Sequence, residues 1–282
     1  MPELPEVETI RRDLLGRIVG KKIKKIEIKD QKLIRSRASV FVKSLVDKKF
    51  VEIERIGKLL IFSISNNLYL LIHLKMTGQL IYLNKKEIIA GGHSLSESPN
   101  WPNKYTRIIL EFSDGARLLF NDLRRFGYWQ LVNLEELEKI KKNYGPEPAN
   151  LLFSHWQEIL KNKKTNIKAF LLNQKHISGL GNIYVDESLF LAGIRPTRLV
   201  SSLNLVEQKK LYLSMKKVID KAIKYRGTTF RNYMDSEGKK GNFSSFLKVY
   251  GRSGEKCRVC QTRIVKIKLA GRGTHYCPLC QS

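Results

Sequence analysis

The chain is short of acid: 26 Asp plus Glu stand against 52 Lys plus Arg in 282 residues, a formal net charge of +26. The excess is spread along the length and not gathered in a tail. Such a surplus suits a polyanionic partner, and nucleic acid is the first candidate. Long apolar runs are also missing. The longest, Leu68 to Leu74, is far too short to span a bilayer, so no membrane is expected. The first twenty or so residues are charged and helical in pattern, which excludes a signal peptide from the reading. No cysteine precedes Cys257, and that distribution argues for metal over disulfides and for a reducing cytoplasm. No two of the five histidines pair at metal-ligand spacing, and no internal repeat is visible.

What is present begins at the first residues, Met1-Pro2-Glu3-Leu4-Pro5-Glu6. With Met1 removed, Pro2 carries a terminal secondary amine. Such amines titrate near 7.7–8.0, against about 10.4 for lysine, so roughly a tenth is uncharged and nucleophilic at neutral pH. Glu3 and Glu6 lie within reach to donate or accept protons. Pro5-Glu6 also reads as a helix start, and Val7, Ile10, Leu14 and Ile18 follow at helical spacing. A capped surface helix with an incidental Pro-Glu lead is the competing explanation.

Next comes a strand over Ile23 to Ile28 and a helix over 33–48. Short strands follow: a hairpin turning at Gly57-Lys58, a turn at Asn66-Asn67, strands over Leu68–Leu74 and Gln79–Leu83, a hairpin about Ser113-Asp114-Gly115, and Tyr128–Val132. Residues 84–103 are polar and read as a long surface loop. The expected architecture is α+β: an N-terminal β-sandwich with flanking helices, a linker around Tyr144-Gly145-Pro146-Glu147-Pro148, then helices. In that second half, Thr165–Asn173 and Asn182–Ala192 read as helices, and Gly193 ends the latter. Asn204 with Glu207 forms a capping-box pattern, and Val206, Leu211, Met215, Val218, Ile219 and Ala222 mark a long amphipathic helix. Residues Asp235–Ser245 read as a mobile loop, and His155 and His176 as structural or surface residues.

Four further constellations carry chemistry. Cys257-x2-Cys260 and Cys277-x2-Cys280 have the spacing of one tetrahedral, structural zinc. Two strands between them put Arg272 at a hairpin tip, as either a solvated turn residue or a finger aimed at phosphate. Gly179-Leu180-Gly181-Asn182 joins two helices and suits a phosphate seat, with Lys163, Lys164, Lys168 and Lys175 nearby. Asn121-Asp122-Leu123-Arg124-Arg125-Phe126-Gly127 presents an arginine pair beside an aromatic: a wedge for a base stack, or a strand end with one core Phe. His73-Leu74-Lys75-Met76-Thr77-Gly78 places Met76 just past a strand, as core filler or second wedge.

In combination these segments resemble the bacterial formamidopyrimidine-DNA glycosylase family over nearly the whole chain. The carrying segments are MPELPEVET, RIGKLLIF, HLKMTG, RRFG, GPEP, GLGNIYVDESLFLAGIRP, VYGR and the four-cysteine finger. The resemblance implies a catalytic β-sandwich domain over 1–133, a linker over 134–150, and a helical DNA-binding domain over 151–282. That second domain has a helix-two-turn-helix and a zinc finger at 251–282. It implies a monomer that acts in the bacterial cytoplasm, at the nucleoid, on double-stranded DNA holding a damaged base. The activity implied is excision of oxidised purines such as 8-oxoguanine, then strand cleavage. By resemblance Pro2 attacks the sugar C1′ and forms an imine, Glu3 protonates the opening sugar, and Glu6 positions that step. Lys58 serves later proton transfers or holds a phosphate, and Arg272 holds the lesion's phosphates beside Asn182. Met76, Arg124 and Phe126 fill the gap left by the extruded nucleotide, and His73, Tyr105 and Lys163 contact DNA. Asp235–Ser245 corresponds to the loop over the damaged base. The chain departs from the family pattern at Tyr105, where histidine is common, and at Leu123, where proline is common before the arginine pair. Two rivals stand beside this reading. An endonuclease VIII-type glycosylase for oxidised pyrimidines typically begins Pro-Glu-Gly-Pro, unlike this chain. A non-enzymatic zinc protein that binds nucleic acid explains the charge and the cysteines but has no use for Pro2, Glu3 and Lys58 together.

Overall fold

The computed structural model describes residues 1–92, 101–228 and 243–282. Helix α1 (Leu4–Ile18) opens the fold. Its apolar stripe Val7, Ile10, Leu14 and Ile18 is fully buried, as the spacing predicts. Strands β1 (Ile23–Ile28), β2 (Phe50–Ile56), β3 (Leu59–Ile64), β4 (Leu68–His73), β5 (Gly78–Leu83), β6 (Ile88–Gly92), β7 (Thr106–Phe112), β8 (Arg117–Asp122) and β9 (Tyr128–Val132) follow, with helix α2 (Ala38–Leu45) between β1 and β2. They form two antiparallel sheets, β1-β7-β8-β5-β6 and β2-β3-β4-β9. One core takes side chains from both sheets, including Ile26, Phe62, Leu70, Tyr82, Leu110, Phe120 and Trp129, and from α1. A smaller cluster of Ile81, Leu83, Ile109 and Leu119 covers the other face of the first sheet. This explains why β5 is buried throughout and does not alternate.

The described residues form two compact units. The first holds Met1–Lys142 and the stretch beginning at Tyr225; the second holds Asn143–Lys224 and Phe243–Ser282. Helix α3 (Leu134–Lys141), capped by Asn133, lies within the segment expected as a linker and packs with β4 in the first unit. The second unit contains α4 (Phe153–Leu160), α5 (Ile167–Leu172), α6 (Asn182–Ala192), α7 (Leu205–Lys224) and the hairpin β10 (Val265–Leu269) with β11 (Arg272–Tyr276). Gly193 ends α6 at a φ of 74°, and Asn204 and Glu207 close the capping box of α7. Among the described residues no helix is long and apolar enough to cross a membrane.

Several expectations need correction. The helix over 33–48 is only α2, because Ile34 and Arg35 are drawn into extended pairing with Trp129. The helix over Thr165–Asn173 shortens to α5, since Asn166 caps it by accepting from Ala169 N–H. The loop over 84–103 contains β6, paired with β5. Its Gly91 lies under α1, where a Cβ would meet Ile10 Cγ1 at 2.4 Å, so a glycine that reads as a loop signal is a packing requirement. Val206 is 64% exposed and takes no part in the buried face of α7. Residues 235–242 of the expected mobile loop lie outside the described residues, and Phe243–Phe246 forms a 3-10 turn with Phe243 buried.

Ion pairing in the first unit concentrates on Glu8 of α1. It accepts from Arg11 at 2.9 and 3.0 Å, from Arg12 at 2.7 Å and from Arg55 at 3.1 Å. Burial alone raises a carboxyl pKa, but hydrogen bonds from Arg11 and Arg12 and the charge of Arg55 outweigh it and hold Glu8 at about 2. A folded value below the ordinary 4.5 means the stabilisation is complete above that pH and disappears as pH falls through about 2. We expect Glu8→Gln to lower unfolding free energy by roughly 1–3 kcal/mol at pH 7. The gap to the unaltered protein in urea titrations should close between pH 4.5 and 2; a gap independent of pH there contradicts the assignment.

Candidate active site

The first unit holds one group of expected site residues at the start of α1. Pro2 and Glu3 are buried, and Glu3 is the residue before the helix. Glu6 Oε2 accepts from Glu3 N–H at 2.9 Å, and Glu6 Oε1 accepts from Thr228 N–H at 2.8 Å and from Thr228 Oγ1 at 3.1 Å. Thr228 follows Gly227, whose φ is 78° and where a Cβ would meet Glu6 Oε1 at 2.5 Å. One carboxylate therefore fixes both the backbone at Glu3 and the chain beyond α7. Arg226, two residues earlier, grips Asp13 of α1 with both distances at 2.7–2.8 Å.

A second group gathers at one end of the β2–β3–β4 sheet. Gly57, at a φ of 57°, and Lys58 make the two-residue turn between Ile56 and Leu59. Lys58 is 7% exposed, and the adjacent Leu59 pairs with His73. His73 Nδ1 accepts from Lys75 N–H at 3.0 Å, and its ring packs on Tyr128 at 5.7 Å. Arg35 lies 3.4 Å over the same Tyr128 ring, with Lys75 at 5.7 Å. Burial pushes the His73 pKa down to about 3, and the charges of Lys75, Lys58 and Arg35 push it the same way. Burial and Arg35 lower Lys75 as well. His73 is thus a neutral imidazole whose Nδ1 is already an acceptor, which leaves Nε2 to carry the proton.

The third group is the pair of turns flanking Asp122. Met76, half-buried, sits in the tight turn closed by Gly78 N–H donating to Leu74 C=O at 2.8 Å. Leu123 to Phe126 are exposed, Phe126 by 52%, and the Arg124 guanidinium lies 4.6 Å over the Phe126 ring. The core-filling alternative for Phe126 is therefore excluded. Tyr105 is half-buried beside Lys104, and its carbonyl accepts from Asp122 N–H at 3.1 Å.

In the second unit, Asn182 opens α6 after Gly181 and donates from Nδ2 to Gly273 C=O at 2.9 Å. That bond ties the helix start to the residue after Arg272. The turn of the hairpin is Ala270-Gly271, both at positive φ, so Arg272 begins β11 and does not sit within the turn as expected; its side chain is exposed. Lys163 is half-buried, and Lys164 and Lys175 are exposed. Lys168 is a correction. It is fully buried, donates to Asp186 Oδ1 at 2.7 Å, and offers no free charge to a phosphate. Asp186 Oδ2 also accepts from His275 N–H at 2.8 Å, so this pair anchors β11 to α5 and α6. Glu187 accepts from the N–H groups of Lys248, Val249 and Tyr250. The sequence reading assigned nothing to Asp122, Asp186 or Glu187. The available signal was an acid inside a motif in a chain poor in acids.

The four cysteine sulfurs lie within 4.8 Å of one another, with Cys257 to Cys280 at 3.9 Å and Cys260 to Cys277 at 3.4 Å. A tetrahedral zinc with Zn–S near 2.3 Å separates its sulfurs by about 3.8 Å, so the cluster fits a single zinc ion. Four thiolates close the coordination sphere and leave no position for a reacting water.

Three family models match consecutive parts of the chain: the formamidopyrimidine-DNA glycosylase N-terminal domain over residues 1–129, the H2TH domain of the same enzyme over 144–234, and the zinc finger found in FPG and IleRS over 254–282. The chain belongs to the formamidopyrimidine-DNA glycosylase family. It is 40% identical to the formamidopyrimidine-DNA glycosylase of Pelotomaculum thermopropionicum and 41% identical to that of Lactococcus lactis, in each case over 100% of this chain and 99% of the relative. Crystal structures of the Lactococcus lactis protein with DNA containing an abasic site, and of a mutant with DNA containing Fapy-dG, each superpose with a TM-score of 0.88 at 38% identity, covering all of both chains. The α+β architecture, with its sheets first, a helical H2TH region and a four-cysteine finger, is that of the family.

Two measurements test this geometry. Cys280→Ser should drop bound zinc from about one per chain to a small fraction and speed proteolysis between residues 251 and 282, because the finger's own core is little more than Val249, Ile264 and the cysteines. Full metal retention refutes the cluster. Nitrogen NMR of His73 should show a neutral ring, protonated at Nε2, at pH 5; titration near the ordinary 6.5 contradicts the desolvated, cation-flanked site.

Proposed function

We propose that the chain excises oxidised purines from duplex DNA through an imine between Pro2 and the sugar C1′, then cleaves the strand by β,δ-elimination, as a step of base excision repair. The observation that carries this reading is the seating of residues 2–6, where Pro2 is buried against the start of a fully docked helix whose Glu6 is held from two sides. The relatives' structures with Fapy-dG and abasic-site DNA support the substrate class.

With Met1 removed, the Pro2 nitrogen donates its lone pair to C1′ as the bond to the damaged base breaks, and the base leaves with a proton. Glu3 protonates the ring oxygen as the sugar opens, and the nitrogen is left as a cationic imine. That cation makes the C2′ proton acidic, so a modest base suffices to remove it and expel the 3′ phosphate. Lys58 serves that proton transfer or holds a phosphate. Glu6, bound to Glu3 N–H, positions the segment. A base inside a duplex is out of reach and must be extruded, at a cost of a few kcal/mol. Met76, Arg124 and Phe126 offset that cost by occupying the gap. Arg272, with Asn182 beside it, grips the lesion's phosphates, Lys163 meets the backbone, and His73 and Tyr105 contact DNA. His73 does so as a neutral donor. Cys257, Cys260, Cys277 and Cys280 would hold a zinc ion whose part is structural, bracing the hairpin. The protein is expected to work as a monomer in the cytoplasm, at the nucleoid.

Borohydride trapping on an 8-oxoguanine duplex decides the chemistry. The unaltered protein should become covalently joined to DNA, and Pro2→Gly should lose at least about nine-tenths of the adduct, since covalent catalysis rests on that one nitrogen. No adduct from a chain shown by intact mass to lack Met1 refutes the mechanism and favours a binding protein. Faster cutting at dihydrouracil than at 8-oxoguanine opposite cytosine refutes the purine assignment in favour of the endonuclease VIII type.

A further inference from the structure

Asp122 is the last residue of β8 and has no solvent exposure, yet it touches none of the groups assigned to bond breaking. Its carboxylate joins two turns that lie 45 residues apart in sequence. Oδ1 accepts a short hydrogen bond from Thr77 Oγ1 and a second from Arg124 N–H at 3.1 Å. Oδ2 accepts from Gly127 N–H at 2.7 Å. Thr77 Oγ1 in turn accepts from Arg124 N–H at 2.9 Å, so hydroxyl, amide and carboxylate close a three-membered ring of hydrogen bonds. Gly127 fits because a Cβ there would lie 2.6 Å from Phe120 and 3.0 Å from Asp122 Oδ2. Arg125, between the two bonded amides, is held at a φ of 56°, a conformation that costs free energy and persists only where its surroundings impose it.

The consequence is geometric. Thr77 is the neighbour of Met76, and the amides of Arg124 and Gly127 bracket Phe126. We propose that Asp122 is the positioning residue that sets Met76, Arg124 and Phe126 in one register, so that the three enter a base stack as a single rigid wedge. This rests on the reading above that those three side chains fill the gap in the duplex. The bonds run to a carboxylate in a buried site, where hydrogen bonds reinforce one another. They supply the rigidity that Leu123, in the place where the family often has proline, does not.

The test separates insertion from chemistry. Asp122→Asn keeps the shape but turns one acceptor into a donor, so the amide of either Arg124 or Gly127 loses its bond to that side chain. Thr77→Val removes the hydroxyl, and Thr77→Ser restores it. Two rates are measured for each: single-turnover excision of 8-oxoguanine from a duplex, and β-elimination at an abasic site in single-stranded DNA, where nothing has to be extruded. A 2-aminopurine beside the lesion reports unstacking directly. Asp122→Asn and Thr77→Val should lower the duplex rate roughly tenfold or more, with the 2-aminopurine step slowed in parallel, while the single-strand rate stays within about twofold. Thr77→Ser should recover most of the loss. Equal losses on both substrates, or an unchanged duplex-to-single-strand ratio, overturn the proposal, and a folding defect shows itself as the equal-loss outcome. Phe126→Ala and Met76→Ala test the underlying reading separately. If they leave the ratio unchanged, the wedge itself is wrong. If they lower it and the Asp122 and Thr77 variants do not, only the positioning role fails.

Discussion

The rest of the structure depends on how α1 is seated. Four apolar side chains one helical turn apart disappear into the core shared by the two sheets, and at roughly 1.5–3 kcal/mol for each fully buried side chain they make the helix immovable relative to the sandwich. Because the seat is rigid, the residues that precede it inherit its position. A terminus is ordinarily the least ordered part of a chain. Here Glu6, itself unexposed, accepts a hydrogen bond from Glu3 N–H, so order propagates from core to Pro2 without relying on any contact made by Pro2.

The same device recurs wherever a basic or exposed functional segment has to be held still. In a chain with twice as many cations as acids, the acids that are buried are not spent on surface balance. Glu6 takes the chain at Thr228, Asp122 takes two turns, Asp186 takes β11 at His275, and Glu187 takes three successive amides before the zinc finger. Most of these bonds come from backbone N–H groups. A carboxylate offers several acceptor sites and a backbone amide cannot move far, so such a bond fixes a loop without requiring a matching side chain. Exposed pairs such as Lys139 with Glu135 contribute little by comparison. Scarcity of acid and precision of loops are two sides of one allocation.

Features whose cause is local were legible in the sequence. Gly57 and Ser113-Asp114-Gly115 punctuate hairpins because backbone sterics demand it, the period of α1 is set by its own turn, and four thiols at knuckle spacing have few alternatives. What escaped was decided by partners far away in the chain. Gly91 looks like a loop residue until Ile10 is placed over it. A buried lysine and a solvated one are the same letter, and only Asp186, 18 residues on, turns Lys168 into a structural ion pair. Helix α4, short and anchored by Trp156 and Leu160, offered too few turns for its period to stand out. Phe126 was undecidable between core and surface, because an aromatic at a strand end is equally at home in both; its exposure is set by Asp122 and Gly127, not by its own chemistry.

The positive surplus has a second effect besides attracting phosphate. A cationic neighbourhood favours the neutral form of any nitrogen base within it, and removal of water strengthens that preference. His73 is the visible case, since burial and three cations drive its pKa to about 3, and the ring meets its surroundings as a neutral donor and acceptor. An amine that must attack carbon needs that same condition, a nitrogen relieved of its proton. A cationic surface that attracts DNA therefore also favours the deprotonated form of a nitrogen base buried within it. A terminal amine, with its intrinsically lower pKa, depends less on such surroundings to shed a proton than a lysine does.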